Sequence, residues 1–380
     1  LSDFNGLRLA THIRCTPRPN QLTRIFVYGF VGLDYLMGHD YFNILKTKNV
    51  QLIPYSKRAF TEAVNTDFQA LNMEELPQEI TKLKLDLPLN YADSHSIENE
   101  WAIHQWAKSI GCDETDEIEK IFKTAESNLY FKYLRTINPV SEVDKISPQD
   151  LKINFIGDPK VLLIDDEAEK GWNEIFAYIF GDVYTEDSQE AIYQGILDIN
   201  FKNQSQEEII DKSIKKIKDD DIDVVILDFR LNEEDFQDSN IQNNTSIQLL
   251  KQVKAFNSGI QVVMFSATNK TWNLQALIDA GADGFVVKGA IEQSQTLKSA
   301  YNPISTFIAS IQTAIDRRFL KEYFNVLART RTNLLDFETE DEGEFDHFLR
   351  DLQSHVLLLK TSMKGINLRV SSTLDIVFLN

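Results

Sequence analysis

Four apolar segments, far apart in the sequence, each end in a side chain that phosphoryl-transfer chemistry can use. The segments are residues 161–167, 223–228, 261–267 and 281–288. Their polar ends are Asp165, Asp166, Asp228, Ser266 and Lys288. Continuous apolar runs of this length are typical of strands buried on both faces of a parallel sheet, where reactive groups gather at the carboxyl ends of the strands. We therefore expect these five side chains to meet at one edge of such a sheet.

The three carboxylates in this set predict a cation site. Asp165, Asp166 and Asp228 would repel one another at close range unless a divalent cation lay between them. Ligation by oxygen alone, with few protein groups, favours magnesium. Mg²⁺ is therefore the expected cofactor, and Lys288 would supply a second positive charge.

With these residues, the segment 160–320 resembles a response-regulator receiver domain of two-component signalling. Asp165 and Asp166 stand where that family keeps its acidic metal-binding pair, and Asp228 stands at the phosphoacceptor. Ser266, which is followed by alanine, stands at the conserved hydroxyl, and Lys288 stands at the conserved lysine. The resemblance covers less than half of the chain, and its specificity comes from four segments in the right order.

The resemblance implies a role for each position. Asp228 would be the nucleophile that takes a phosphoryl group from a histidine kinase, a phosphotransfer protein or a small phosphodonor. Mg²⁺ would be held by the acidic pair, by Asp228 itself and by a backbone carbonyl near Arg230. Ser266 would hydrogen-bond the phosphoryl group, and Phe285 stands at the aromatic position that switches with it in the family.

The sequence departs from the family pattern outside the acidic pocket. Gly289 follows the lysine where the family usually has proline, and Leu231 and Asn232 stand where methionine and proline are common. The stretch between the acceptor and the hydroxyl is longer than usual, and residues 232–238 resemble an insert. These departures concern the partner-docking surface and the lifetime of the phosphorylated state.

Length and charge narrow the function classes. A chain of 380 residues suggests two or three domains. Its formal net charge of −19 repels nucleic-acid phosphates, so no nucleic-acid partner is expected. Two cysteines make no disulfide framework and fit a reducing compartment. Neither a membrane-spanning run nor a signal peptide is visible, so we expect a cytoplasmic protein without membrane contact.

The N-terminal domain, residues 1–155, resembles no family that we recognise. Residues 24–28 and 50–54 are predicted as short strands, and residues 99–111 and 117–134 as helices. These elements indicate an α/β or α+β region. A linker is expected around Asn138-Pro139 and Ser147-Pro148. His95, His104, Cys15 and Cys112 match no paired zinc spacing, and we expect surface or hydrogen-bonded residues there.

The receiver domain, residues 156–303, is predicted to be α/β, with a doubly wound, five-stranded parallel sheet. The first helix would run through Trp172 and Ile179, and the second would begin near Ser188 and extend through residues 203–218. The third and fourth helices would cover residues 246–256 and 274–280.

The C-terminal segment, residues 304–380, is predicted as a helical hairpin. Apolar positions of residues 304–327 form one stripe, an acidic break follows at 338–344, and a second helix covers 345–359. A stripe of this kind must be buried, so we expect a homodimer through these helices, or docking of the hairpin on the N-terminal region. The chain starts at Leu1 and ends on an apolar stretch, so we expect it to be a fragment of a longer protein.

Three hypotheses about function follow. The first is a phosphorylation-dependent response regulator in a two-component phosphorelay. The second is an unphosphorylated, receiver-like scaffold or docking module, and the third is a receiver that gates an unrecognised N-terminal enzyme. No separate catalytic domain is recognised. A phosphotransfer role for His347 or His355 is disfavoured, because an apolar run follows His355 where lysine and glycine are expected.

Overall fold

The structure is a computed structural model that describes residues 5–17, 19–30, 32–85, 94–112, 115–137, 146–147, 150–155, 157–181, 193–197, 201, 204–232, 235, 241–267, 276–289 and 301–335. All elements and contacts given below lie within these residues. None of the helices in them combines the length and the apolar composition needed to cross a lipid bilayer.

The N-terminal region contains a pair of parallel strands surrounded by α-helices. The strands are β1 (Ile25–Gly29) and β2 (Val50–Pro54). The helices are α1 (Asn5–Cys15), α2 (Leu33–Leu36), α3 (Lys57–Asn65), α4 (Leu76–Thr81), α5 (Ser94–Ile110), α6 (Asp116–Ser127) and α7 (Leu129–Ile137). Both predicted strands are confirmed. The predicted helix that ends at Gly111 is confirmed as well, and the φ of +75° at this glycine stops it.

The helical stretch predicted for residues 117–134 is two helices in the structure. The break falls at Asn128, where the backbone is extended with φ −71° and ψ 130°. The Asn128 side chain accepts hydrogen bonds from the amides of Tyr130 (2.8 Å) and Phe131 (3.3 Å). Asn128 therefore caps the start of α7. The apolar pattern continues across this cap, which is why the sequence suggested one helix.

Five parallel strands form the central sheet. They are β3 (Val161–Ile164), β4 (Tyr193–Ile196), β5 (Val224–Asp228), β6 (Gln261–Ser266) and β7 (Gly284–Val287). Their order across the sheet is β4-β3-β5-β6-β7, and every neighbouring pair is parallel. The expected α/β class with five parallel strands is confirmed.

Apolar side chains cover both faces of this sheet. Three of the covering helices are α8 (Trp172–Phe180), α9 (Gln206–Asp219) and α10 (Thr245–Phe256). Leu163 and Phe265 pack on the side of α8, whereas Leu162 and Met264 pack on the side of α9 and α10. Burial on both faces explains why the strands appear in the sequence as continuous apolar runs.

The second predicted helix is confirmed only over its later part, residues 206–218. The sequence suggested that it begins near Ser188, which lies outside the described residues, but strand β4 comes first and the helix begins at Gln206. Ser205 and Glu208 form a capping box there, because each side chain accepts a hydrogen bond from the other residue's amide. The strand was missed because Tyr193-Gln-Gly-Ile contains no continuous apolar run. The helices predicted as the first and third are confirmed as α8 and α10.

Helix α11 (Tyr301–Asp316) packs on the central sheet of its own chain. Ile304, Phe307 and Ile311 are fully buried in the core that contains α8. We expected this stripe to be buried in a homodimer or against the N-terminal region. In the structure it covers β6 and β7 beside α8, and Phe307 also packs on Trp106 of the N-terminal region. The predicted second hairpin helix falls in residues 336–380, outside the described part of the chain.

Helix α12 (Phe319–Leu335) is anchored to the opposite edge of the sheet, where β5 begins. The Lys321 ammonium donates to the Asp221 carbonyl (2.6 Å) and lies 3.0 Å from Asp223 Oδ1. A Cβ added at Gly259 would lie 2.2 Å from backbone atoms of Leu320, so only glycine allows this approach. Helix α12 therefore contacts the residues just before β5 and β6 through its first turn, whereas α11 packs on the face of the sheet.

Helix α5 of the N-terminal region shares a hydrophobic core with the central sheet. Ala102, Ile103 and Trp106 are buried in one cluster with Trp172 and Phe265. The N-terminal region is therefore joined to the sheet by buried apolar side chains as well as by the chain itself.

Candidate functional site

The carboxyl edge of the central sheet collects the polar side chains that the sequence singled out. Asp165 directly follows β3, Asp228 ends β5, Ser266 ends β6 and Lys288 directly follows β7. The strands are parallel and in register, with Ser266 opposite Val287, so their ends lie side by side. We call this group, together with Asp166, the acidic pocket.

Lys288 bridges two carboxylates of the acidic pocket. Its Nζ donates a hydrogen bond to Asp165 Oδ2 at 2.7 Å and lies 2.8 Å from Asp228 Oδ1. The second contact is a close ion pair. All three side chains are 0 % exposed. Burial alone would lower the pKa of Lys288, but Asp165 and Asp228 outweigh it and raise the pKa, so the ammonium stays charged.

Asp166 is half-buried beside this bridge. Its Oδ1 is buried and has no hydrogen-bond partner among the described residues. Burial, followed by repulsion from Asp165 and Asp228, raises the pKa of Asp166 to about 9. Without a cation, this carboxyl is therefore protonated at neutral pH, and a bound cation would favour its ionised form.

The loop after β5 is held around Asp228 by hydrogen bonds. The Arg230 amide donates to Asp228 Oδ2 at 3.0 Å, and the Ser246 hydroxyl donates to the Asp228 carbonyl at 2.7 Å. Asp235 accepts from both the amide (2.8 Å) and the hydroxyl (2.9 Å) of Thr245, at the start of α10. Asp235 belongs to the predicted insert, and no role was predicted for it.

Two further predicted positions lie at the ends of β6 and β7. Ser266 is 2 % exposed, and its carbonyl accepts a hydrogen bond from the Lys288 amide at 2.8 Å. Phe285 is half-buried and packs against the core on the α9–α10 side of the sheet. Gly289 has φ +118°, which proline cannot adopt because its ring fixes φ near −65°. The departure from the family's proline therefore has a backbone reason.

The acidic pocket contains carboxylate oxygens, the donor type that Mg²⁺ prefers. Among the described residues, Asp166 Oδ1 has no hydrogen-bond partner, and the carboxylates of Asp165 and Asp228 are near enough to raise the pKa of Asp166. In the part of the chain that the structure describes, no group of three or more His, Cys, Asp or Glu side chains is placed so that it could hold a metal ion. Magnesium is usually bound by one or two carboxylates and keeps several waters, so a site for it does not need three such side chains.

Two residues of helix α5 complete the surroundings of the acidic pocket and were not predicted. Trp106 Nε1 donates a hydrogen bond to the Lys288 carbonyl at 2.8 Å, and Asn99 bonds both Glu167 and Trp172. From the sequence, Trp106 was placed only within the predicted helix 99–111. No local pattern identifies these contacts, because 182 positions separate Trp106 from Lys288.

The remaining histidine and cysteine candidates make no site in the described residues. Cys15 and Cys112 are buried and form no disulfide. His104 is buried and stacks on Trp101, and its Nδ1 has no hydrogen-bond partner in the described part of the chain. It is therefore neither a surface histidine nor, within those residues, a fully hydrogen-bonded one. His347 and His355 lie outside the described residues.

Comparison with known families supports a receiver-like domain in this chain. A family model described as iREC, Inactive Receiver domain, matches residues 1–53. This segment contains α1, β1, α2 and the start of β2, and the sequence analysis had recognised no family in it. A search of the curated proteins finds no match to the chain. The chain is therefore similar to inactive receiver domains over a short N-terminal segment.

Proposed function

We propose that this protein is a phosphorylation-dependent, receiver-type signalling protein in which Asp228 accepts the phosphoryl group. The observation that carries the proposal is the position of the Lys288 ammonium, 2.7 Å from Asp165 and 2.8 Å from Asp228. Phosphoryl transfer depends mainly on positioning and on neutralisation of charge. A fixed cation beside a buried carboxylate at the end of a parallel strand supplies both.

In the proposed step, an Asp228 carboxylate oxygen attacks the phosphorus of the donor. A phosphorus–oxygen bond to Asp228 forms while the bond from phosphorus to the donor's nitrogen or oxygen breaks, which leaves an acyl phosphate. Lys288 neutralises one phosphoryl oxygen, and the Ser266 hydroxyl donates to another. Mg²⁺, when held by the acidic pair, Asp228 and a carbonyl near Arg230, supplies further positive charge at the phosphoryl oxygens.

The donor in this proposal is a histidine kinase or a phosphotransfer protein, or a small molecule such as acetyl phosphate. The side chain of Asp228 is 0 % exposed, so the pocket opens before a donor reaches it. An opening of this kind links chemistry at Asp228 to a two-state conformational equilibrium, which is how a receiver would transmit a signal.

Labelling with acetyl phosphate tests the proposal. The chain is incubated with acetyl phosphate and Mg²⁺, and intact mass is followed by mapping of the modified peptide. One phosphoryl group on Asp228 is expected, with none on Asp228→Asn. Asp219→Asn, a change at an exposed residue of α9, is the matched control and should label like the native chain. Equal labelling of Asp228→Asn would remove Asp228 from the role of acceptor.

The second candidate function is an unphosphorylated docking module. The full burial of Asp228 and Lys288 favours it, and so does the similarity of residues 1–53 to inactive receiver domains. Absence of any label on Asp228 from acetyl phosphate and from a phosphohistidine donor, in a folded chain, would favour this candidate. The third hypothesis, a gated N-terminal enzyme, gains no support from the described residues.

Self-association through the C-terminal helices belongs to the same proposal. The apolar stripe of α11 is already covered within one chain. Of the two C-terminal helices, α12 is therefore the one proposed to contact a second copy of the chain, and its Val326 side chain is 42 % exposed. Light scattering over a range of concentrations measures the mass of the full chain. A monomer at all concentrations would rule out this mode of assembly.

A further inference from the structure

Helix α5 contacts the acidic pocket through two side chains on one helical face. Asn99 and Trp106 are seven positions apart, which places them about two turns apart on the same side of the helix. Both are 0 % exposed. They belong to the N-terminal region, outside the receiver-like segment that supplies the acidic pocket.

Trp106 holds the backbone of Lys288 from outside the sheet. Its Nε1 donates to the Lys288 carbonyl at 2.8 Å, while the Lys288 amide donates to the Ser266 carbonyl at 2.8 Å. The Lys288 peptide is therefore fixed on one side by β6 and on the other by helix α5. The Trp106 ring also packs edge-to-face on Trp172 and Phe265, at centroid distances of 5.3 and 5.6 Å.

Asn99 holds the loop that carries the acidic pair. Its Oδ1 accepts from Trp172 Nε1 at 2.6 Å, and its Nδ2 donates to Glu167 Oε2 at 2.6 Å. The Glu167 amide in turn donates to Asp165 Oδ1 at 2.8 Å. With the Asp165–Lys288 bond, these contacts form a closed circuit that begins and ends on helix α5.

We propose that Asn99 and Trp106 are positioning residues of the acidic pocket. They do not touch the phosphoryl group. They fix the Lys288 peptide and the acidic loop, so that the ammonium lies between Asp165 and Asp228. The proposal rests on the proposed phosphorylation of Asp228 and makes the N-terminal region part of the reaction site. Because coupling between two sites is reciprocal, phosphorylation of Asp228 also changes the free energy with which α5 packs against the central sheet.

A pair of matched tryptophan variants tests the role of Trp106. Trp106→Phe keeps an aromatic ring and removes the indole donor, which leaves a buried carbonyl without its partner. Trp101→Phe is the control, because Trp101 lies on the same helix, is 2 % exposed, and packs on Phe131 and His104 away from the acidic pocket. Both variants are checked for folding by circular dichroism and urea unfolding.

The phosphorylation rate of Asp228 is measured against acetyl phosphate concentration. In Trp106→Phe, the rate at saturating donor should fall about tenfold, in line with the loss of one buried hydrogen bond, while the half-saturating concentration stays unchanged. Trp101→Phe should keep the native rate. Equal rates in the two variants would overturn the proposal. A faster rate in Trp106→Phe would also overturn it, because α5 would then be a lid.

A charge exchange at Asn99 tests the other half of the circuit. Asn99→Asp places a carboxylate against Glu167 and should slow phosphorylation. Adding Glu167→Gln restores the hydrogen bond with donor and acceptor exchanged, and should recover most of the lost rate. If the double variant is no faster than Asn99→Asp alone, this contact does not position the loop.

Hydrogen exchange separates this inference from the proposed function. Deuterium uptake is measured without any phosphodonor in peptides covering residues 161–167 and 284–289. Trp106→Phe should speed exchange in both peptides more than Trp101→Phe does. If the native chain never labels on Asp228 but this difference appears, the proposed function fails and the positioning role stands. If neither peptide changes, the positioning role fails even where labelling succeeds.

Discussion

The ammonium of Lys288 donates a 2.7 Å hydrogen bond to Asp165, with both side chains fully buried. A buried charge is tolerated only when it is paired. This bond and the ion pair to Asp228 therefore allow the charged Lys288 side chain to stay buried, away from water, at the carboxyl edge of the sheet. The same contacts that prepare the acidic pocket for phosphoryl chemistry are therefore expected to stabilise the fold.

Replacing Lys288 by methionine should strongly destabilise the protein. The side chain keeps its volume, but Asp165 and Asp228 lose their shared cation while still buried. Removing one partner of a buried ion pair typically costs about 3–5 kcal/mol, and we expect a loss of this order in the free energy of unfolding from urea titration.

A double variant keeps this prediction testable if the single variant fails to fold. Adding Asp228→Asn to Lys288→Met removes one of the two buried carboxylates that have lost their cation. The double variant should therefore recover part of the lost free energy of unfolding. A loss below about 1 kcal/mol in Lys288→Met would show that the ion pairs contribute no more than exposed ones do.

Magnesium should raise the melting temperature of the native chain through Asp166. Without the ion, burial and the neighbouring carboxylates raise the pKa of Asp166 to about 9, so Asp166→Asn changes little at neutral pH. With the ion, only the native carboxyl can ionise and bind, and binding to the folded state alone raises stability. Thermal melts with and without Mg²⁺ measure this, with Asp219→Asn as control. A shift that persists unchanged in Asp166→Asn would place the ion elsewhere.

The backbone at Gly289 should not tolerate a side chain. Its φ of +118° is strained for any other residue, although no atom of the described residues lies within 4 Å of an added Cβ. Gly289→Ala should therefore lose about 1–2 kcal/mol of unfolding free energy, and Gly289→Pro should lose more. Gly32→Ala is the control, because its site is equally open but its φ is −78°. Equal stabilities of the two alanine variants would contradict the backbone argument.

The acidic pocket was predictable because each of its residues closes an apolar run. Strands β3, β5 and β6 are buried on both faces of the sheet, so their sequences are continuous apolar segments that can be recognised. Because the strands are parallel, their carboxyl ends lie together. Strand β4 was hidden because it carries Gln194 and Gly195 among its four residues, all of them only partly buried.

The contacts between regions could not be predicted from local patterns. Asn99 lies 68 positions from Glu167, and nothing in its sequence neighbourhood marks it as a partner of the acidic loop. The stripe of α11 was recognised, but a stripe does not reveal which surface covers it. That choice depends on the face of the sheet left open beside α8, which only the assembled fold defines.

Acid should destabilise the protein through His104. The ring is buried against Trp101 and Phe122, and burial, followed by Arg135 and Lys108, lowers its pKa to about 3. In the unfolded chain the pKa is near 6.5, so between these values the unfolded state binds the extra proton and stability falls as pH falls.

From pH 7 to pH 5, this difference amounts to about 2 kcal/mol of unfolding free energy for one histidine. His104→Phe keeps a stacked ring and cannot take up the proton, so its stability should fall less than that of the native chain over the same range. Urea unfolding at the two pH values measures both losses. If the native chain and His104→Phe lose stability equally, His104 is not buried in its neutral form, and the packing of α5 against α6 differs from the one described.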